Sequence, residues 1–210
     1  MKLLKLTLLI LTCVICTAGS AFATSTFDVT VNTSAVTGET GYLYLQYDPL
    51  NAVSSTATVF YFSTNGTLGA TAPGAFTGSG SANSEYYVTG TLPNTVVFAN
   101  TNAVNDYNQA ITFGATLSFS VALSDPAAGG GGVSTFSLGI FQDALGNTPL
   151  YNVNDPNVPG TVVELNLANN GTVSESILDP QDVTVPIPPT VLLFGAGLLG
   201  MLGIRRNVKI

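Results

Sequence analysis

The sequence contains no histidine and no tryptophan, and it has only two cysteines and five lysines or arginines. All five cations lie near the two ends, at Lys2, Lys5, Arg205, Arg206 and Lys209. The long central region therefore has no side chain that can act as an imidazole base, a thiolate nucleophile or a Schiff-base lysine. It also lacks the histidine and cysteine ligands of zinc sites.

Both cysteines, Cys13 and Cys16, lie in the apolar stretch near the N-terminus. The central region can consequently form no disulfide and no thiolate metal site. Its stability must come from a hydrophobic core. From Thr24 to Asp182 the chain has roughly 160 residues, which is enough for one well-buried domain.

The central region is acidic without any compensating cation. All twelve acidic residues lie between Asp28 and Asp182. Such a region repels phosphate backbones, so we expect no nucleic-acid binding. It can attract divalent cations or polycations, and a net charge of one sign favours solubility.

Residues 1–23 show the three-part pattern of a cleavable secretory signal. Two lysines form the basic start, and an apolar stretch follows from Leu6 to Ile15. Ala21 and Ala23 supply the small residues of the cleavage site. We therefore predict a signal peptide over residues 1–23 and export of the chain that follows.

The C-terminal segment reads as a membrane anchor with a proline-rich entry. Residues 179–190 form a spacer rich in proline and aspartate, and an apolar run extends over residues 191–204. With its flank the run is roughly 18–20 residues, about what a bilayer core needs. Arg205 and Arg206 follow at once, and the positive-inside rule places such cations in the cytoplasm. We predict a transmembrane helix at 191–204, a stop at the two arginines and a cytoplasmic tip at 205–210.

This segment resembles the PEP-CTERM sorting domain of Gram-negative bacteria. The matching residues are Val185-Pro186-Ile187-Pro188, Gly197-Leu198-Leu199-Gly200-Met201 and Arg205-Arg206. Ile187 stands where the name-giving motif has glutamate. The resemblance implies recognition by an exosortase, a membrane-embedded cysteine-type transpeptidase, followed by cleavage near the proline motif. It also implies transfer to the outer surface or to an exopolysaccharide or biofilm matrix. An ordinary anchor that is never cut is the alternative.

The body, residues 24–178, has the period-two alternation of half-buried strands. Leu117, Phe119, Val121 and Leu123 fall on one face of a strand, and so do Phe136, Leu138 and Ile140 of a later one. About nine short strands separated by turn signals predict an all-β antiparallel sandwich of jelly-roll type. The predicted strands are 26–32, 41–47, 57–62, 85–92, 95–98, 109–113, 116–123, 133–141 and 161–167. Residues 68–84 are predicted to be a long loop with at most a short strand, residues 100–108 a polar loop, and a weak strand is predicted near Val173.

Only carboxylates remain as catalytic candidates. Asp143 and Glu164 could form the acid pair of a glycoside hydrolase, but solvated turn or strand-edge acids are the favoured interpretation. Tyr42, Tyr44, Tyr86 and Tyr87 could stack on sugars, although alternating tyrosines more often pack within a sheet.

Calcium is the one metal for which the region has ligands. Carboxylate and amide oxygens cluster at residues 152–157, with Asn154, Asp155 and the preceding Asp143 as candidate ligands. The cluster lacks the residue order of an EF-hand loop. An ordinary turn rich in Asn and Asp is the alternative.

The sequence thus predicts a non-catalytic exported protein of the cell surface or matrix, with exosortase and the secretion machinery as partners. It leaves two alternatives open: a carbohydrate- or calcium-binding module, and a carboxylate-based glycoside hydrolase. No cofactor is expected other than calcium.

Overall fold

The computed structural model describes residues 24–48, 56–71, 88–99, 105–124, 133–151, 159–168, 173–177 and 183–185. The predicted signal peptide, most of the sorting motif, the transmembrane segment and the basic tip lie outside these ranges. No helix in the described ranges is both long and apolar enough to cross a membrane.

The described residues form two six-stranded antiparallel sheets, as expected for a β-sandwich. The strands are β1 Ser25–Asn32, β2 Thr40–Asp48, β3 Ala57–Thr64, β4 Thr67–Thr71, β5 Val88–Gly90, β6 Val96–Phe98, β7 Asn105–Thr112, β8 Thr116–Leu123, β9 Val133–Phe141, β10 Thr161–Ala168, β11 Val173–Ile177 and β12 Val183–Thr184. A single 3-10 turn, Ser34–Val36, joins β1 to β2. The prediction of an all-β antiparallel sandwich is confirmed.

The chain alternates between the two sheets for much of its length. Sheet A has the order β12-β1-β8-β3-β6-β5, and sheet B has the order β11-β10-β9-β2-β7-β4. Strands β1 to β4 fall in sheets A, B, A and B in turn, and β7 to β9 fall in B, A and B. The connections in these stretches therefore cross between the sheets at the ends of the sandwich.

The core forms because the apolar residues of one strand lie opposite the apolar residues of its partner, on the same face of the sheet. In the pairing of β1 with β8, Phe27 lies opposite Val121 and Val29 lies opposite Phe119. All four side chains are buried. Since side chains alternate between faces along a strand, this register places both apolar sets on the inner face. The two predicted apolar faces, on β8 and β9, are confirmed.

Phe136 of β9 joins the two sheets at the centre of the core. Its ring meets Phe98 of β6 edge-on, with the ring centroids 6.0 Å apart. It meets Phe119 of β8 with the centroids 6.2 Å apart. Phe136 belongs to sheet B and both partners to sheet A, so this cluster holds the sheets face to face.

The structure differs from the sequence prediction at residues 105–108. They were predicted as polar loop, yet they begin β7, which pairs with β2 on one side and β4 on the other. Asn105, Asp106 and Asn108 are buried although they are polar. Hydrogen bonds to neighbouring elements offset part of the cost of this burial, and the Asn105 side-chain amide, for example, donates to the Tyr47 carbonyl.

Three strands lie outside the nine main predicted ones, and one of them, β11, is the weak strand predicted near Val173. β4 lies partly within the predicted loop 68–84 and forms an edge of sheet B. β12 lies within the range predicted as a spacer, and Val183 pairs with Val31 of β1. Val183 and Val185 are both buried in the core. The packed body therefore extends to the first residue of the sorting motif.

Candidate functional site

The outward side of β2 and β7 carries a row of polar and aromatic side chains. The register places Tyr42 opposite Ala110, Tyr44 opposite Asn108 and Gln46 opposite Asp106. The intervening residues of β2, such as Leu43 and Leu45, point into the core. We call this outward side the Tyr face, defined by Thr40, Tyr42, Tyr44, Gln46, Asp106, Asn108, Ala110 and Thr112.

A surface cleft of about 320 Å³ lies at one end of the Tyr face. We call it the Tyr42 cleft; it is lined by Thr40, Gly41, Tyr42, Thr67, Leu68, Gly69, Ala110, Ile111, Thr112 and Gln142. It adjoins a register shift between Leu68 and Thr71 in the pairing of β4 with β7. Such irregularities re-aim side chains at sheet edges. Every lining residue among those that the structure describes is uncharged.

Small residues keep the Tyr42 cleft open. A Cβ atom built at Gly69 would lie 3.0 Å from the Cβ of Ala110, which is a tight contact. Ala110 is itself the smallest side chain that β7 presents on the Tyr face. A larger residue at either position would occupy the space between Tyr42 and β4.

The other end of the Tyr face is a buried polar network around Asp106. Its carboxylate accepts a hydrogen bond from the Gln46 amide at 3.1 Å and another from the Tyr44 hydroxyl. Asp106 is only 7% exposed. Burial raises the pKa of the Asp106 carboxyl, although the two hydrogen bonds act in the opposite direction. Burial, followed by the charge of Asp106, also raises the pKa of the Tyr44 phenol.

The turn after β9 forms a wall beside this network. Asn108 donates a hydrogen bond from its side-chain amide to the Ala144 carbonyl. The Tyr44 ring packs edge-on against Phe141, with the centroids 5.6 Å apart. Gln142, the first residue of the turn, lines the Tyr42 cleft. The turn therefore links the two ends of the Tyr face.

Asp143, the shared candidate for catalysis and calcium binding, stabilises this turn. Its Oδ1 accepts from the backbone N–H groups of Leu145 and Asn147, and its Oδ2 accepts from that of Thr148. Desolvation alone would raise the pKa of Asp143, but the N–H donors of Asn147, Thr148 and Leu145 together lower it. Both oxygens thus accept hydrogen bonds from the backbone of the turn.

The other candidates do not gather around Asp143 in the described residues. Glu164 lies in β10 opposite Ser137, well before the end of β9, whereas Asp143 lies beyond that end. Neither acid lines the Tyr42 cleft. Asn154 and Asp155 lie outside the described residues, as do Tyr86 and Tyr87. Within the described ranges, no group of three or more His, Cys, Asp or Glu residues could hold a metal ion.

A different acid pair arises from the sheet register. Asp48 follows Gln46 by two positions on β2, and Gln46 pairs with Asp106. The backbones of diagonal neighbours are roughly 7–8 Å apart, close enough for side chains of this length to approach the carboxyl spacing of a glycoside hydrolase. The Asp106 carboxylate, however, is buried and bonded to Tyr44 and Gln46. The geometry is that of a structural network rather than of an exposed acid.

Asp106 should make the stability of the protein depend on pH. Because its pKa is raised in the folded state, the folded protein binds this proton more tightly than the unfolded chain. Its contribution is fully present below the unfolded pKa of about 4 and is lost as the pH rises through the folded pKa. As the pH rises from acidic to neutral, the free energy of unfolding should fall in the unmodified protein. In Asp106→Asn it should fall by less, and urea denaturation at both pH values would measure the difference.

Glu164→Gln is the matched control because it also removes one carboxylate from sheet B, from β10, which like β7 lies next to an edge strand. Removing any carboxylate from an acidic protein reduces the repulsion among its negative charges, and Glu164→Gln measures this general effect. If both variants flatten the pH profile equally, the environment of Asp106 has no special effect on stability.

Sequence reasoning identified Tyr42 and Tyr44 but missed Asp106, Asn108 and Gln142. Residues 105–108 show no clear alternation of polar and apolar side chains. The sequence therefore did not indicate that they belong to β7, a strand with neighbours on both sides. The signal that could have indicated the strand was the even spacing of the apolar residues Tyr107 and Ile111, which are both buried in β7. No family model, curated protein or solved structure significantly matches this chain.

Proposed function

We propose that this protein is a non-catalytic, exported β-sandwich of the bacterial cell surface or exopolysaccharide matrix. The observation that carries the proposal is the separation of charge along the chain. Every side-chain cation lies within residues 1–23 or 205–210, and every side-chain carboxylate lies between Asp28 and Asp182. The terminal segments have the composition of removable export and sorting signals.

The sorting route follows from the resemblance to the PEP-CTERM segment. The chain enters the inner membrane of a Gram-negative cell, is held there by residues 191–204, and is cut by an exosortase near Pro186. The jelly-roll type is the finer fold assignment that we propose. The neighbouring order β1-β8-β3-β6 in one sheet and β2-β7-β4 in the other supports it.

The burial of Val185 narrows where the cut can fall. Val183 and Val185 are packed in the core, and Thr184 pairs with Thr30. A peptidase acting before Val185 would have to detach β12 from the sandwich. Cleavage within Pro186–Pro189 leaves the fold intact and is therefore the expected outcome.

Mass spectrometry of the exported protein tests the sorting proposal. We expect a C-terminus at Pro186–Pro189 and an N-terminus at Thr24, because both signals are removed. A matched variant with Arg205 and Arg206 replaced by glutamine should accumulate uncut, since the membrane stop is weakened. Recovery of the exported protein with Arg205 and Arg206 still attached would leave only a plain membrane anchor.

A carbohydrate-binding module is the second candidate function. The Tyr42 cleft favours it because an aromatic residue and several hydroxyl and amide groups line one surface depression. Calcium binding has less support, because the turn already uses both oxygens of Asp143. Glycoside hydrolysis has less support as well, because Asp106 is buried in a hydrogen-bonded network.

A further inference from the structure

We propose that the Tyr42 cleft binds an uncharged sugar segment of a neutral polysaccharide. This inference rests on the carbohydrate-binding candidate and adds the location of the site and the charge class of its ligand. Four features of the cleft carry it: its size, its chemistry, the charge around it and the small residues at its floor.

The size of the cleft fits a short segment of a chain. Its volume of about 320 Å³ lies at the lower end of the range for ligand sites, which begins near 300 Å³. The rim residues Thr40, Thr67 and Thr112 are exposed. A sugar segment lying against them would remain accessible on its outer side, so a polymer could pass over the cleft without threading into it.

The lining combines one aromatic ring with hydroxyl and amide groups. Tyr42 is half-buried at the wall, and an aromatic face carries partial negative charge that attracts the C–H groups of a sugar ring. The threonine hydroxyls both donate and accept hydrogen bonds. Gln142 is exposed, and its side-chain amide offers both a donor and an acceptor. These groups match the alternating hydroxyl and C–H surface of a sugar.

The charge around the cleft selects against anionic sugars. No charged side chain of the described residues lines it, and these residues contain no Lys, Arg or His. Asp106 and Asp48 lie further along the same face of sheet B. A uronate or sulfated unit would meet carboxylates without a cation to bind its charge. A neutral sugar avoids this repulsion.

The floor of the cleft offers a direct way to block it. Ala110 of β7 lies opposite Tyr42 of β2. Gly69, on β4, lies next to Ala110 on its other side. Ala110 is half-buried on the outer face, so a phenylalanine at this position would fill the cleft without entering the core. Ala110→Phe would fill the cleft, whereas Tyr42→Ala would remove its aromatic ring, so the two variants disable the same site in different ways.

Isothermal titration calorimetry on the exported protein tests the proposal. The probes are cellohexaose, maltohexaose and mannohexaose as neutral chains, and hexagalacturonate as the anionic chain. We expect binding of at least one neutral chain and none of hexagalacturonate. Tyr42→Ala and Ala110→Phe should each weaken binding about tenfold or more, since loss of an aromatic contact of about 1.4 kcal/mol corresponds to a factor of ten.

Tyr61→Ala is the matched control, because Tyr61 is 81% exposed and lies on β3 in the other sheet. It should bind as the unmodified protein does, and thermal melting should show that all three variants are folded. Binding of hexagalacturonate overturns the proposed selectivity. Neutral binding that survives both cleft variants overturns the location but leaves a carbohydrate module. No binding of any chain overturns both, whereas the sorting proposal is decided separately by the mass of the exported protein.

Discussion

Replacing Phe136 with alanine is expected to lower the free energy of unfolding by about 3–5 kcal/mol. Phe136 is fully buried and touches Phe98 and Phe119 of the opposite sheet. The substitution removes apolar surface from the core, leaves a cavity between the sheets and breaks two edge-on ring contacts. Chemical denaturation followed by tyrosine fluorescence or circular dichroism would measure the loss.

A loss of this size is a large share of the total stability of a domain. Typical domains are stable by about 5–15 kcal/mol, and the body has no cysteine with which to form a disulfide. Phe136→Leu should lose less, since it keeps more of the buried volume. Val133→Ala on the same strand is the control, because Val133 is exposed and its loss should be close to zero. A loss below about 1 kcal/mol for Phe136→Ala would contradict its assigned role.

Replacing Tyr107 with phenylalanine is expected to destabilise the protein by about 1–3 kcal/mol for each buried group that loses its partner. The Tyr107 hydroxyl accepts from the Leu92 backbone N–H at 2.9 Å and donates to Gln109 Oε1 at 2.6 Å. The Gln109 amide in turn donates to the Gly69 carbonyl at 2.6 Å. Removing one oxygen atom leaves the ring in place but interrupts this chain of bonds.

The network matters because it links both sheets. Tyr107 and Gln109 belong to β7 of sheet B, while Leu92 lies between β5 and β6 of sheet A. Tyr61→Phe is the control, since it removes the same atom from an 81% exposed side chain. It should be nearly neutral. Equal stability of Tyr107→Phe and the unmodified protein in urea denaturation would show that water replaces the hydroxyl.

The two networks on β7 serve different purposes. Tyr107 and Gln109 face the core and hold β4, β7 and the turn at Leu92 together. Asp106 and Asn108 face outward and join Tyr44, Gln46 and the turn after β9. A single strand thus supports the core on one side and the Tyr face on the other. Because hydrogen bonds form on both sides of β7, a strand with this many polar side chains can be buried on both sides.

Much of the fold could be read from local pattern. β8 was predicted with the boundaries Thr116–Leu123 and β9 with Val133–Phe141, and both are observed. These strands have a continuous period-two run of apolar residues, so their buried face is specified without knowledge of their partners. The all-β class could also be predicted, because no segment of the body has the apolar periodicity of an amphipathic helix.

The candidate site was only partly visible in the sequence. Tyr42 and Tyr44 stood out as alternating aromatic residues on a predicted strand. Their pairing with Ala110 and Asn108 depends on the register between β2 and β7, which lie far apart in the chain. A shift by one residue would send every outward side chain inward. No local pattern determines that register, so the cleft and the Asp106 network appear only in the folded protein.

By itself the sequence determined the separation of charge and predicted the all-β class of the body, which the structure confirms; the two terminal signals stay predictions. These properties are set by composition and by short-range periodicity. Tertiary structure decided that Asn105–Asn108 form a strand, that Asp143 serves its turn, and that Val185 is packed in the core. In each case the deciding interaction joins a residue to a partner that local sequence cannot specify: a paired strand, the backbone amides of a closed turn, or the opposite sheet.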